Sequence, residues 1–256
     1  MLEREVGDSR EIWTKHLQSG RQQLIVRVPA AGPTNAVVSQ DGARIAYTQA
    51  GTAATNVAIT GYVIETAGGV PRKICDACNL HGFLSDNHHV MASLADGHAI
   101  QLIDTRDGTT RDLVTVNDGS RLDRPHASPD DRWLAFRRNR GGAGKSYIVG
   151  LPAGRAVNAD EAAVVDEPTT TGRPGGWSLD SRVLYLLLDT DGFRCIWGQS
   201  IDAAGRLIGK PSAVRHFHAT QGMSTSMGNA VNADGFVYEA ADMTANIWKM
   251  TIPSEE

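Results

Sequence analysis

Short apolar runs alternate with polar turns along this chain, and the alternation itself repeats. SPDDRWLAF at Ser128–Phe136 shows it best: a turn built on Asp, then Trp, Leu, Ala and Phe in succession. SQDGARIAY at Ser39–Tyr47, SLDSRVLYL at Ser178–Leu186 and NADGFVYEA at Asn232–Ala240 follow the same plan, and SDNHHVMAS at Ser85–Ser93 follows it more loosely. Asp and Asn bond their own backbone two residues on, and Gly accepts positive φ, so each copy reads as a tight turn leading into a strand. With the first residue of each copy as its anchor, the steps are 46, 43, 50 and 54 residues. A loose period of this size marks a propeller or a related array.

From Pro33 the pattern predicts four-stranded units. The first has strands near Asn35–Ser39, Arg44–Gln49, Val57–Glu65 and Pro71–Cys75. The second runs from Leu80 to Val116, the third from Pro125 to Asp166 and the fourth from Gly175 to His218. Strands near Met227–Val231, Phe236–Ala241 and Asn246–Thr251 begin a fifth unit; two strands joined at Ser19-Gly20, with Leu2–Val6 before them, precede the first. An apolar or aromatic pair recurs in the third strands, as Ile12-Trp13, Tyr147-Ile148, Ile196-Trp197 and Ile247-Trp248. Packing between blades accounts for these pairs better than ligand stacking, because burying a Trp removes roughly 200 Å² from water. No long segment has a 3.6-residue apolar period; Asp160–Val165 is short enough for a single helical turn, closed off by Pro168. The expected fold is all-β: one β-propeller domain over residues 1–256, of four-stranded antiparallel blades, about four full blades plus partial terminal blades.

Two consequences follow for the whole molecule. In a fused fifth blade, Ile12-Trp13 and Ile247-Trp248 would compete for one third-strand slot. The chain is therefore expected to be a piece of a larger propeller, of six blades or more, whose natural start lies upstream of Met1. An open array leaves strand edges unpaired, so the chain alone is expected to dimerise or aggregate.

Composition narrows the function classes. The 256 residues are 41% hydrophobic and 21% charged, as in a soluble globular protein that buries a core. A net charge of −4 argues against nucleic-acid binding through bulk charge and leaves room for a local patch. MLEREVGDSREIW lacks the apolar stretch of a signal peptide, and the longest apolar run, Val183–Leu188, is too short to span a bilayer. No membrane insertion by this chain is expected, and its compartment is left open.

The repeated turns resemble those of the TolB-like β-propeller, a WD-repeat-like fold whose blades carry S-P-D-G-x-x-[ILV]-[AV]-[FY]. SQDGARIAY and SPDDRWLAF match best, and a third-strand Ile-Trp followed by a turn such as IDAAGR fits the same pattern. CDACNLHGFLSDN at Cys75–Asn87 and the ending TANIWKM at Thr244–Met250 resemble the C-terminal propeller of acidobacterial serine/threonine-kinase-like proteins. The resemblance spans the chain and implies a fold rather than an activity. It also implies an extracytoplasmic place when such a propeller is fused to a membrane-anchored parent. Asn87, Asp131 and Ser181 depart from it by standing where the turn Gly is usual, and the chain has no kinase motif.

Few motifs could carry chemistry. NRGGAGKS at Asn139–Ser146 is one residue short of a phosphate-binding P-loop, but the β-prone SYIVGLPAG follows where a helix is needed. A glycine-rich hairpin is the better reading, and no cofactor is expected. Cys75 and Cys78 have the spacing of half a zinc site, with His81, His88 and His89 nearby; a small disulfide or two free thiols is favoured over a metal. Cys195 reads as core. His216 and His218 share one strand face and read as surface. Neither a nucleophile elbow nor a supported Ser/His/Asp set appears.

The remaining candidate is a basic rim. In a blade, the loop entering the first strand and the loop joining the second to the third open on the same face. In the third unit these loops are Asp118–His126 and Arg137–Lys145. They predict a rim of Arg121, Arg124, His126, Arg138, Arg140 and Lys145, with Arg173 beside it and only Asp118 and Asp123 opposing. Arg124, Arg138 and Arg140 are the expected contacts, since guanidinium forks hold carboxylate or phosphate at two points. The leading function is a non-catalytic binding or scaffold module, a sensor or protein-interaction domain of a larger signalling or envelope protein. Its expected partner is a protein or an anionic small molecule. The alternative is a propeller hydrolase acting on glycan or peptide, or an accessory domain of a peptidase.

Overall fold

The computed structural model describes residues 1–16, 18–29, 35–51, 59–190 and 193–216, and the strand residues 222–223, 229–232, 235–238 and 240–241. Strands Leu2–Val6, Ser9–Lys15 and Gln22–Pro29 form an N-terminal three-stranded sheet. Blade I is Asn35–Val38, Arg44–Ala50, Ile59–Glu65 and Arg72–Asp76; blade II is Cys78–Phe83, His89–Leu94, Ala99–Asp104 and Thr110–Thr115. Blade III is Arg121–Ala127, Trp133–Arg140, Ala143–Gly150 and Ala163–Val164, and blade IV is Arg173–Trp177, Val183–Thr190, Phe193–Ile201 and Leu207–Arg215. Beyond them Asn229–Asn232 pairs with Gly235–Tyr238, and Gly222–Met223 with Ala240–Ala241. The fold is an all-β propeller, with four full blades among the described residues. Ile247-Trp248, Asn246–Thr251, Phe217 and His218 lie outside the described residues.

Period-two alternation builds the core between blades rather than within them. In blade III, Leu134 and Phe136 face blade II and pack with Met91, Ile100, Leu102 and Leu113. Ala135, between them in sequence, faces blade IV and packs with Trp177, Leu184, Leu186 and Leu188. Blade I repeats the device: Ile45 and Tyr47 pack on Ile12 and Val28 of the N-terminal sheet, while Ala46 packs with Leu80 and Val90 of blade II. The N-terminal sheet thus covers blade I as a further blade would. Because both faces are covered, the second strands read as continuous apolar runs.

The repeat turns share one bonding scheme. Ser39, Ser128 and Ser178 donate their hydroxyls to Asp41, Asp130 and Asp180, each at 2.6 Å. The same hydroxyls accept the N–H groups of Arg44, Trp133 and Val183, which start the second strands. In blade II the equivalent of these serines is Leu84, not Ser85: Leu84 accepts from Asn87 N–H as Ser39 does from Gly42. The anchor therefore shifts by one residue. Leu84 has no hydroxyl, and Asp86 substitutes by accepting from both His88 N–H and His89 N–H at 2.9 and 3.0 Å.

One segment leaves the repeat. After the third strand of blade III, the chain crosses back and lays Val157–Asn158 parallel to the outer strand of blade II. Arg111 of that strand donates to Pro152 O at 2.8 Å. A 3₁₀ turn, Ala159–Glu161, follows, with Asn158 and Glu161 forming a reciprocal capping box. Among the described residues no helix is long and apolar enough to cross a membrane.

Candidate functional site

The strand Trp133–Arg140 sets the geometry. Its residues point alternately to blades II and IV, so Arg138 and Arg140 lie on the face of Phe136, and Arg137 and Asn139 on the face of Ala135. Arg138 extends the Phe136 face past the apolar core, over the ring of Tyr147 at 5.9 Å. Its Nε donates to Ser120 Oγ at 2.9 Å, its Nη2 to Asp118 at 2.9 Å and its Nη1 to Asp160 at 2.6 Å. Ser120 also donates its hydroxyl and N–H to Asp118, and these bonds, then Arg138, hold that carboxyl well below the usual carboxylate range.

Each nitrogen of Arg138 thus has a partner, and its side chain is 11% exposed. Arg140, 75% exposed, reaches Asp118 at 3.4 Å with one nitrogen and presents the rest of its guanidinium to solvent. Arg138, Arg140, Lys145, Tyr147, Asp160 and Thr170 surround a half-open cleft of about 350 Å³. The turn beneath, Gly141-Gly142, has φ of 58° and 85° and leads straight into the strand Ala143–Gly150. The glycine-rich stretch is a hairpin, without the helix that a P-loop requires.

The six predicted rim residues do not share one place. Arg138, Arg140 and Lys145 line the cleft. Arg121 instead lies against Gly97 of blade II and donates to Ala95 O, joining the two blades. Arg124 and His126 sit farther along the inner strand of blade III, near His81 of blade II and Arg173 of blade IV. Burial first, and then Arg124 and Arg173, push His126 down to about 4. Burial, then His126 and Arg124, push His81 down to about 3. Arg173, buried and beside Arg124 and Arg194, is pushed down to about 9. The loop reading failed for Arg121, Arg124 and His126 because the first strand of blade III already begins at Arg121, so these residues are strand positions.

Asp160, Tyr147 and Thr170 were missed. Asp160 reaches the cleft through the crossing segment, whose parallel pairing to blade II leaves no periodic trace. Asp123, buried and raised in pKa for that reason, accepts from Asn139 at 3.2 Å on the opposite face of the strand from the cleft.

Cys75 and Cys78 form a disulfide joining the outer strand of blade I to the inner strand of blade II. Gly61 makes room for it: a Cβ there would stand 2.5 and 2.9 Å from the two sulfurs. Among the described residues no group of three His, Cys, Asp or Glu is arranged to hold a metal. Cys195 is a free thiol, fully buried.

No protein-family model matches the sequence, and no curated protein matches it either. Solved structures do match by shape. TolB from Acinetobacter baumannii superposes with a TM-score of 0.62 at 15% identity over 88% of this chain. The chain spans about half of that protein, 52% of its length. A putative TolB from Agrobacterium tumefaciens gives 0.55 at 19% identity, over 81% of this chain and 76% of its own. A prolyl endopeptidase gives 0.57 at 12% identity, over 94% of this chain and 39% of its own. At these identities the likeness concerns the fold, a TolB-like β-propeller.

Proposed function

We propose that the chain is a non-catalytic propeller module of a larger signalling or envelope protein, and that the rim of blade III receives an acidic group of a protein partner. The observation that carries this reading is the division of labour in the cleft. Arg138 is fixed by Asp118 and Asp160 and shapes the floor, while Arg140 and Lys145 flank the opening with charge to spare. Interlocked charges of this kind hold a shape; they leave no base and nucleophile poised for chemistry.

Fluorescence anisotropy with a labelled oligo-glutamate peptide tests the reading. Arg140→Ala with Lys145→Ala should weaken binding about tenfold, flatten its salt dependence and leave the melting temperature unchanged. Binding equal to wild type would refute it. Arg138 is not a suitable probe, since its removal leaves Asp118 and Asp160 facing one another.

The match to a prolyl endopeptidase over nearly all of this chain favours a second reading, the propeller domain of a peptidase. A fluorophosphonate probe applied to the native protein from its host separates the two. A serine peptidase would be labelled, and a binding module would not.

A further inference from the structure

The inner strands of the blades are not alike. Asn35–Val38 of blade I pairs without interruption. In blade II the register slips at His81, in blade III at Arg124-Pro125 and in blade IV at Gly175. A bulge leaves a residue out of the ladder and re-aims its side chain, and bulges gather beside binding sites. These three inner strands lie side by side in chain order, so the slips bring His81, Arg124, His126 and Arg173 together.

Arg124 is the informative member. Five described non-glycine residues have positive φ. Asn87, Asp131 and Ser181 close repeat turns, and Ala77 lies between the two disulfide cysteines. Arg124, at 51°, has neither role. Its left-handed backbone belongs to the bulge at Arg124-Pro125, which turns the side chain out of the ladder, and such bulges gather beside binding sites. No carboxylate lies within ion-pair reach of its guanidinium among the described residues. Asp123 favours its charge, while Arg137 and Arg194 oppose it.

Two carboxylates lie close by, Asp189 and Asp123, and one Asp123 oxygen has no hydrogen-bond partner among the described residues. Asp189 takes two bonds from Arg194, at 2.6 and 2.7 Å, and Asp123 accepts from Asn139. Arg124, Arg137, Arg173 and Arg194 surround these two aspartates, so among the described residues positive charge is in excess where blades II, III and IV meet. His81 uses one ring nitrogen on the Ser93 hydroxyl at 2.8 Å, and among the described residues the ring of His126 makes no hydrogen bond.

We propose that the bulged inner strands form an axial oxyanion site, in which Arg124 and Arg173 face a carboxylate or phosphate and His81 and His126 add N–H donors. The site is distinct from the rim cleft, because Arg137 beside it and Arg138 in the cleft occupy opposite faces of one strand.

The test is calorimetric titration of the full chain with inorganic phosphate and, separately, succinate, read alongside histidine ring resonances. Saturable binding of at least one, with shifts at His81 and His126, is expected. Phosphate alone identifies a phosphate site, and succinate alone a carboxylate site. Arg124→Gln should weaken binding about tenfold or more, as loss of one charge-assisted contact does. Lys73→Gln, on the outer strand of blade I and in neither site, should leave it unchanged. Arg124→Gly guards against a folding artefact: glycine accepts the left-handed backbone, so the variant should melt no lower than wild type and still lose the ligand. Three results would overturn the proposal: no ring shift with either anion, wild-type binding by Arg124→Gly, or a loss with Lys73→Gln as large as with Arg124→Gln.

Discussion

At the scale of single residues, the departures from the repeat turn are substitutions with a function. Asn87, Asp131 and Ser181 occupy the left-handed position where Gly42 stands in blade I. Each uses its side chain to reach the preceding blade. Asn87 Oδ1 accepts from Asp41 N–H at 3.1 Å, Asp131 accepts from the N–H and hydroxyl of Ser85, and Ser181 Oγ accepts from Asp130 N–H at 3.3 Å. A glycine would avoid the strain, about 1 kcal/mol, and forfeit the link. Asp131→Ala keeps the strain and loses the bonds, whereas Asp131→Gly loses the bonds and sheds the strain. Urea unfolding should therefore rank both wild type and Asp131→Gly above Asp131→Ala, Asp131→Gly by about 1 kcal/mol. Equal midpoints for the two variants would remove the backbone part of this account.

At the scale of elements, the crossing segment joins fold to site. Val157–Asn158 extends blade II, and the capped turn after it delivers Asp160 to Arg138. Asn158→Ala removes the acceptor for Asp160 N–H and should cost about 1 kcal/mol. It should also loosen Arg138, visible as a changed Tyr147 environment in near-ultraviolet circular dichroism. An unchanged spectrum would mean that Asp118 and Ser120 alone fix the arginine. Strand order, the four blades and the inter-blade role of Ile12, Ile148 and Trp197 were legible, because period-two patterns and turn chemistry are local. The cleft was half legible. Arg138, Arg140 and Lys145 follow from one hairpin, but Asp160 depends on a parallel pairing between distant segments. The bulges at His81 and Arg124 were invisible for a related reason, since a register slip arises from the partner strand. Ser85 misled as an anchor because serine was followed where aspartate is the constant part of the turn.

At the scale of the molecule, the interior histidines and the turn aspartates divide the response to acid. The folded state holds His81 down to about 3 and His126 down to about 4, against an ordinary value of 6.5. Between 6.5 and 4 the unfolded chain therefore binds more protons than the folded one, so stability present at neutral pH is lost as pH falls through that window. Burial raises Asp123 and Glu167, which has the opposite sign: just above the ordinary carboxylate range the folded state holds the extra proton, and acidification there offsets part of the loss. Asp41 and Asp180, lowered first by the hydroxyls of Ser39 and Ser178, act later, and their contribution goes only as pH drops below the ordinary carboxylate value. Two acid transitions are expected, the earlier belonging to the histidines. His81→Gln with His126→Gln should flatten the fall in melting temperature between pH 7 and 5 and leave the later fall in place. Gln keeps a polar group for Ser93 and carries no charge at any pH, so a flatter slope reports titration rather than lost packing. If the double variant keeps the wild-type slope, the enclosure of His81 and His126 has no weight in the stability of the propeller.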